Sequence, residues 1–547
     1  MDARTVIVVG SGFAGTILAR LLASRGRRVT LLERGTHPRF AIGESSTPLA
    51  ALCLERLARD YRLPDLAALA AYGRWGRELP GLRRGLKRGF TFYAHSGDQP
   101  FANDAYNARR LLVAASPDDE IADAHWLRAD IDAHLVARAV DEGVEYIDRC
   151  ELDGLERMGD RWRVEGRRGG RRLRLDAEFL VDASGAGGFA ARHLPIGNRI
   201  DVVASRPDSA PKGAARPPNT GLVFGHFEAV GSFAAIAEAG GAVLPPAPYP
   251  EERAAIHHLL EEGWMYVLPF DDGLVSAGFL VDREHPEAAA ILAMDPEDSW
   301  SRLIERYPTL REQFADARTV RPIGSSKRLQ RLLDRATAPG LALLPHTFCF
   351  ASPMFSTGIA WSLAAVERLA GILAPDSGEW PTEAAVEGYG ELLRTEAETI
   401  MALTGSAVRL RGDFEAFRAW THLYFAAASY SEAWQRLCPA PEPGGWVDIG
   451  FLGATDPVIR GAIRAASSRL ARGHDDGHRG RRDVCPVPND VVAALIAPRN
   501  VAGLADPSRA GAYPVDLDAL VEHASLLGLT RAEVRQALPR LRRGSGP

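Results

Sequence analysis

The chain has 547 residues, 46% of them hydrophobic and 25% charged, with a formal net charge of -5. That is an ordinary globular composition, long enough for about two to four structural units, and it gives no global attraction to nucleic acid or to an anionic membrane. The five cysteines at 53, 150, 349, 438 and 485 are odd in number, and none stands at metal-ligand spacing. This argues against a disulfide framework and a thiolate metal site, and fits a reducing, cytoplasmic setting.

Residues 5–9 (Thr-Val-Ile-Val-Val) read as a short buried parallel strand, so close to the start that no signal peptide is expected. Gly10-Ser-Gly12-Phe-Ala-Gly15 follows at once. An apolar helical pattern then runs through Leu18, Leu21 and Leu22 to Gly26, and Val29–Leu32 forms a second strand ending at Glu33. In such a unit Gly10 permits a tight turn, Gly12 lets backbone approach a pyrophosphate, and Gly15 lets helix pack on strand. The helix N-terminus favours the anion, and Glu33 would accept from ribose hydroxyls. Residues 126–132 open a helix in which Arg128 stands either to reach a cofactor or to form a surface salt bridge. Residues 177–184 form a strand ending in Asp182-Ala-Ser-Gly185, of the kind that returns to the nucleotide in flavoproteins. These two segments favour FAD over NAD. No second glycine fingerprint appears, so reducing equivalents are expected from another protein.

Residues 161–175 read as a basic hairpin around Gly169-Gly170, a solvated face and not a nucleic-acid patch. Residues 201–219 read as a loop, and 220–229 with 266–281 as strands of a substrate-side sheet. The most apolar uncharged stretch, 340–366, contains Pro345, Pro353 and His346, and suits a buried loop-to-helix segment better than a bilayer span. From about 376 the pattern turns helical, with an aromatic-rich stretch at 420–434 that reads as core packing in preference to the wall of a substrate pocket. The expected fold is α/β. A discontinuous Rossmann-type FAD-binding domain (1–200 and 320–375) carries an inserted sheet region (201–319), and a mostly helical region (376–547) follows.

Four further segments resemble the flavin-dependent halogenases, the family of tryptophan, phenol and pyrrole halogenases, over roughly residues 1–375. Gly43-Glu44-Ser45-Ser46-Thr47-Pro48 is similar to the family segment that lies along the flavin, which implies that Glu44, Ser45 and Thr47 contact the cofactor. Lys87-Arg-Gly-Phe90-Thr-Phe92 is similar to the strand bearing the family's essential lysine. Only positions 87, 212 and 327 are Lys among 65 basic residues, and chemistry prefers Lys here, because an amine shifts its pKa on burial whereas guanidinium stays charged. Gly263-Trp264-Met-Tyr266-Val-Leu-Pro269 is a variant of the Trp-x-Trp-x-Ile-Pro signature. Pro353-Met-Phe355-Ser356-Thr357-Gly358-Ile359 is similar to the turn that opens a helix beside the isoalloxazine. The resemblance implies halide binding by the Thr357 and Gly358 amides and a catalytic role for Ser356 with Lys87.

Two positions depart from the pattern. Phe355 stands where tryptophan halogenases carry Glu, which leans towards phenol- or pyrrole-type members. Pro345-His346 stands where many such flavoproteins have Gly-Asp, so His346 is expected to take over a cofactor contact. The resemblance implies a halogenase that uses FAD, reduced in trans by an NAD(P)H-dependent flavin reductase, with O2 and chloride or bromide. Hypohalous acid relayed to Lys87 would halogenate an electron-rich aromatic substrate, free or carrier-tethered. The alternative on the same scaffold is a flavin monooxygenase or dehydrogenase without halogenation.

Overall fold

Residues 4–200, 217–438, 449–475 and 488–543 are described by a computed structural model. The strand Thr5–Val9 lies at the centre of a six-stranded sheet, between Phe179–Asp182 and Arg28–Leu32, both parallel to it. Leu341–Leu343 and Thr337–Ala338 extend one edge, and Glu145–Ile147 extends the other. Val6 to Val9 are all buried because helices cover the sheet, which is why the strand reads as an unbroken apolar run. The helix Phe13–Ser24 follows the glycine turn and packs against the long helix Thr357–Leu373. The basic hairpin is observed as Arg161–Arg168 and Arg171–Ala177, with Cys150–Met158 as a third antiparallel strand.

The second sheet draws on more of the chain than residues 201–319. Its core is Thr220–Glu228, Val275–Asp282, Gly263–Pro269 and Ala255–Leu259. Gly89–Ala94 and Arg110–Ala114 join it from upstream, and Ala512–Tyr513 from far downstream. Backbone pairing across such sequence distances leaves no local pattern, so the expected boundaries missed it. The expected loop at 201–219 lies largely outside the described residues.

Arg84–Lys87 pairs antiparallel with Asp123–Trp126 as a separate two-stranded ribbon. Beyond residue 376 the helices Glu383–Leu410, Phe414–Leu437 and Pro457–Asp475 dominate. Among the described residues, no helix is long and apolar enough to cross a membrane.

Candidate active site

The glycine turn has the conformation its sequence requires. Gly10 has φ +109°, and a Cβ there would stand 2.4 Å from the Ala183 carbonyl oxygen. A Cβ on Gly15 would stand 2.2 Å from the Gly10 carbonyl oxygen. Only glycine fits either position. Gly12 caps the helix Phe13–Ser24 without any side-chain bond, so the first turn keeps free amides facing a cleft. The Phe13 amide is the exception, donating to Asp132 at 3.1 Å.

At the end of the strand Arg28–Leu32, Glu33 accepts from the Ser11 hydroxyl (2.8 Å), the Gly35 amide (3.0 Å) and Arg39 (3.1 Å). Burial alone would raise its pKa; the Gly35 amide, Arg39 and Ser11 outweigh burial and hold it below the ordinary carboxylate range. A fixed, ionised acceptor therefore stands beside the glycine turn.

These groups line an elongated cavity of about 860 Å³ that continues to Glu44, Ser45, Arg128, Trp264, Tyr266, His346, Ser356, Thr357 and Gly358. Thus most residues singled out in the sequence share one cleft. Arg128 is bound to its own chain. Its guanidinium pairs with Asp132 through two 2.9 Å bonds and also donates to the Ile42 and Gly43 carbonyls. It fixes the 42–44 segment as that segment crosses the cleft. Glu44 pairs with His226 at 3.1 Å.

Two residues expected at the cofactor lie outside the lining of this cleft. Asp182 does not line the cleft. Its carboxylate is fully buried and accepts from the Ser184 amide (2.9 Å) and hydroxyl (2.6 Å) and from the Ala190 amide (2.6 Å). It locks the turn after its strand and leaves the backbone at 183–187 to face the cleft. Thr47 lines a different cavity, described below. Pro269 lines neither cavity; a Cβ on Gly85 would stand 2.0 Å from its carbonyl oxygen, so it serves as the surface on which the lysine ribbon rests.

The helix Thr357–Leu373 begins at Ser356, whose φ of +54° turns the chain sharply, and no side chain caps it. The Ser356 hydroxyl is engaged by Ser45 at 3.0 Å. The free first-turn amides give positive potential at the cleft. His346 lies hard against this terminus: a Cβ on Gly358 would stand 2.8 Å from its Nε2. Burial first, then Arg128 and Arg331, push the His346 pKa down to about 4, so the imidazole there is neutral.

Beyond a wall of aromatic side chains lies a second cavity of about 240 Å³, lined by Thr47, Phe90, Asp123, Tyr424, Phe425 and Arg436 among others. In the wall Phe355 stacks on Tyr424 with ring centroids 4.1 Å apart, and the Tyr424 hydroxyl donates to the Phe355 carbonyl at 3.0 Å. Phe90 meets Phe425 at 5.1 Å, and Phe92 meets Phe355 at 6.3 Å. Within the stretch at 420–434, Tyr424 and Phe425 therefore take the pocket-wall role, while Trp420 is buried away from this cavity.

Lys87 sits between the two cavities. The 44–46 segment runs beside Asp123–Trp126 through the bonds Trp126 amide to Glu44 carbonyl (2.6 Å) and Ser46 amide to Ala124 carbonyl (3.2 Å). Ser45 lines the first cleft, Thr47 lines the second cavity, and the Ser46 carbonyl between them accepts from the Lys87 ammonium. The ammonium nitrogen also lies 4.0 Å from the Phe90 ring centroid, a cation–π contact. Lys87 is 0% exposed and lies in neither cavity's lining. Desolvation pushes its pKa down to about 7 against the opposing charge of Asp123, and desolvation pushes Asp123 up to about 7 against Lys87. Sequence reasoning missed Asp123, which pairs with Lys87 in register across the ribbon. It also missed His257, which lines the cleft and stacks on Phe92 at 4.8 Å and on Trp264 at 5.4 Å.

The parallel sheet, the glycine cradle, the ionised Glu33 and the long cleft define a dinucleotide-binding α/β protein. The family model for FAD dependent oxidoreductases matches residues 5–370, and the chain belongs to that family as an FAD-dependent enzyme. Tetracycline 7-halogenase of Kitasatospora aureofaciens is 28% identical over 362 residues, covering 65% of this chain and 60% of the relative. Monodechloroaminopyrrolnitrin halogenase PrnC of Pseudomonas fluorescens is 25% identical over 372 residues, covering 67% and 60%. The chain thus spans 60% of the length of each of these two relatives. The solved structure of halogenase PltM in complex with phloroglucinol and FAD superposes with a TM-score of 0.75 at 22% identity, over 93% of this chain and 99% of that one. That likeness shows a shared fold that extends into the helical C-terminal region.

Proposed function

We propose that this enzyme is a flavin-dependent halogenase acting on an electron-rich aromatic substrate, with its two reactants kept in separate cavities. The observation that carries the reading is the position of Lys87: a fully buried amine between a flavin-sized cleft and a second, aromatic-walled cavity. The halogenase names of the curated relatives support it.

Gly10, Gly12, Gly15 and Glu33 would hold the dinucleotide end of FAD, and the 43–46 segment, Trp264, Tyr266 and the 356–358 turn would surround its ring end. Bound FAD, reduced by a separate flavin reductase, supplies the activation of dioxygen. The Thr357 and Gly358 amides hold chloride or bromide at the helix terminus, where donors and potential suit an anion. Phe90, Phe355 and Tyr424 keep substrate from the ring, so that only a small oxidant passes. Lys87 holds hypohalous acid through its N–H donors and presents it towards the second cavity. With a pKa of about 7, the amine can give up and regain a proton near neutrality.

The experiment supplies FAD, a flavin reductase, NADH, oxygen and chloride or bromide to the purified enzyme, with phloroglucinol as probe. Halogenated phloroglucinol supports the reading. Oxygen-dependent hydroxylation without halogen incorporation in either buffer overturns it in favour of a monooxygenase.

A further inference from the structure

We propose that Asp123 is the substrate-binding base of the second cavity, holding a ring hydroxyl so that the enzyme selects hydroxyarenes. The proposal rests on the reading of that cavity as the aryl site. Asp123 is 3% exposed and lines the cavity, and its Oδ2 has no hydrogen-bond partner among the described residues. A buried carboxyl oxygen left without a donor costs free energy that a ligand's hydroxyl would recover.

The other charged groups of the cavity are engaged already. Arg436 pairs with Glu432 at 2.8 Å and with Glu55 at 3.1 Å, and Asp516 pairs with Arg509 at 2.9 Å. Asp123 is therefore the acid left to meet a ligand. Its neighbours across the cavity, Phe90, Val113 and Phe425, are apolar surfaces suited to a flat ring.

The ribbon sets Asp123 and Lys87 directly opposite each other, so their side chains leave the same face. A ring whose hydroxyl donates to Asp123 then lies near the amine that presents hypohalous acid. The hydroxyl proton passes to the Asp123 carboxylate, and a ring carbon ortho or para to that oxygen forms the carbon–halogen bond. The oxygen–halogen bond breaks, and the departing hydroxide takes a proton from the Lys87 ammonium to leave as water. The neutral amine removes the ring C–H proton, which restores the arene. The Asp123 acid then returns its proton to the ring oxygen. The sum is hydroxyarene plus hypohalous acid giving halogenated hydroxyarene plus water.

The test compares phloroglucinol with 1,3,5-trimethoxybenzene, which cannot donate, on FAD-loaded wild type and Asp123→Asn. Equilibrium binding is measured first. The variant should bind phloroglucinol about tenfold more weakly, the scale of a hydrogen bond to a charged group, and trimethoxybenzene within about twofold of wild type. Its kcat for halogenating phloroglucinol should fall about 100-fold, the scale of general-base catalysis, while that for trimethoxybenzene changes far less. Equal losses on both ligands, or none on phloroglucinol, overturn the proposal. If the variant does not retain FAD, the wild type decides: a binding preference for phloroglucinol below about twofold overturns the proposal. Absence of any halogenated product alongside an intact hydroxyl preference overturns the halogenase reading and leaves Asp123's role standing.

Discussion

Replacing Lys87 by Met shortens the side chain by one heavy atom and deletes its charge, and the burial of that charge fixes the sign of a stability effect. The folded-state pKa of Lys87 is pushed from 10.5 down to about 7 by desolvation, with Asp123 opposing. In the unfolded chain the amine stays protonated to about pH 10.4. Between pH 7 and pH 10 the unfolded wild type therefore binds more protons than the folded one, and its stability rises with pH. One proton over that window contributes at most about 4 kcal/mol. The variant lacks this gain. Its Asp123, deprived of a cation, holds its proton above pH 7, so the folded variant binds more protons than its unfolded chain and loses stability as pH rises. Both effects act in one direction. Urea unfolding of FAD-saturated wild type and Lys87→Met at pH 7 and pH 10 should show wild type gaining on the variant by about 2 to 4 kcal/mol. A difference that stays constant across the window would mean a solvated amine, and would refute the reasoning.

Gly10→Ala puts a methyl 2.4 Å from the Ala183 carbonyl oxygen at φ +109°. It should cost at least about 2 kcal/mol and abolish the flavin's visible absorbance after gel filtration. Arg128→Ala leaves the buried Asp132 with the Phe13 amide as its remaining donor here and frees the 42–43 carbonyls. A loss of about 3 to 5 kcal/mol and weaker FAD binding by fluorescence titration are expected, with no recovery in Arg128→Lys, which cannot make the two-pronged contact. Phe355→Ala removes a wall ring stacked at 4.1 Å on Tyr424. It should destabilise by about 3 to 5 kcal/mol and lower halogenated product per oxygen consumed, with a matching rise in hydrogen peroxide.

The sequence made the nucleotide half of the site readable because a single local unit carries it. Gly10, Gly12, Gly15 and Glu33 stand at spacings that a strand–turn–helix–strand unit demands, and backbone sterics permit nothing but glycine at 10 and 15. Lys87 stood out because Lys is rare in this chain. Its partner did not, because Asp123 meets it through an antiparallel pairing with no sequence periodicity. The Gly43–Pro48 segment was identified as a unit, yet its residues divide between two cavities: Ser45 faces one and Thr47 the other. The two residues are two apart and would share one face of a regular strand, so the division comes from the segment's passage out of one cavity's lining and into the other's. Asp182 illustrates the opposite failure, a motif residue whose carboxylate is engaged by its own turn. Sequence alone leaves Tyr424 and Phe425 between core and pocket wall because a buried wall and a buried core have the same composition.

Lys87→Ala decides whether the buried amine is what carries halogen to the second cavity. The purified variant, assayed for product with FAD, a flavin reductase, NADH, oxygen, bromide and phloroglucinol, should bind FAD and consume oxygen as wild type does yet yield no halogenated phloroglucinol. Wild-type yields of halogenated product from that variant would contradict the claim that the buried amine between the cavities delivers the halogen.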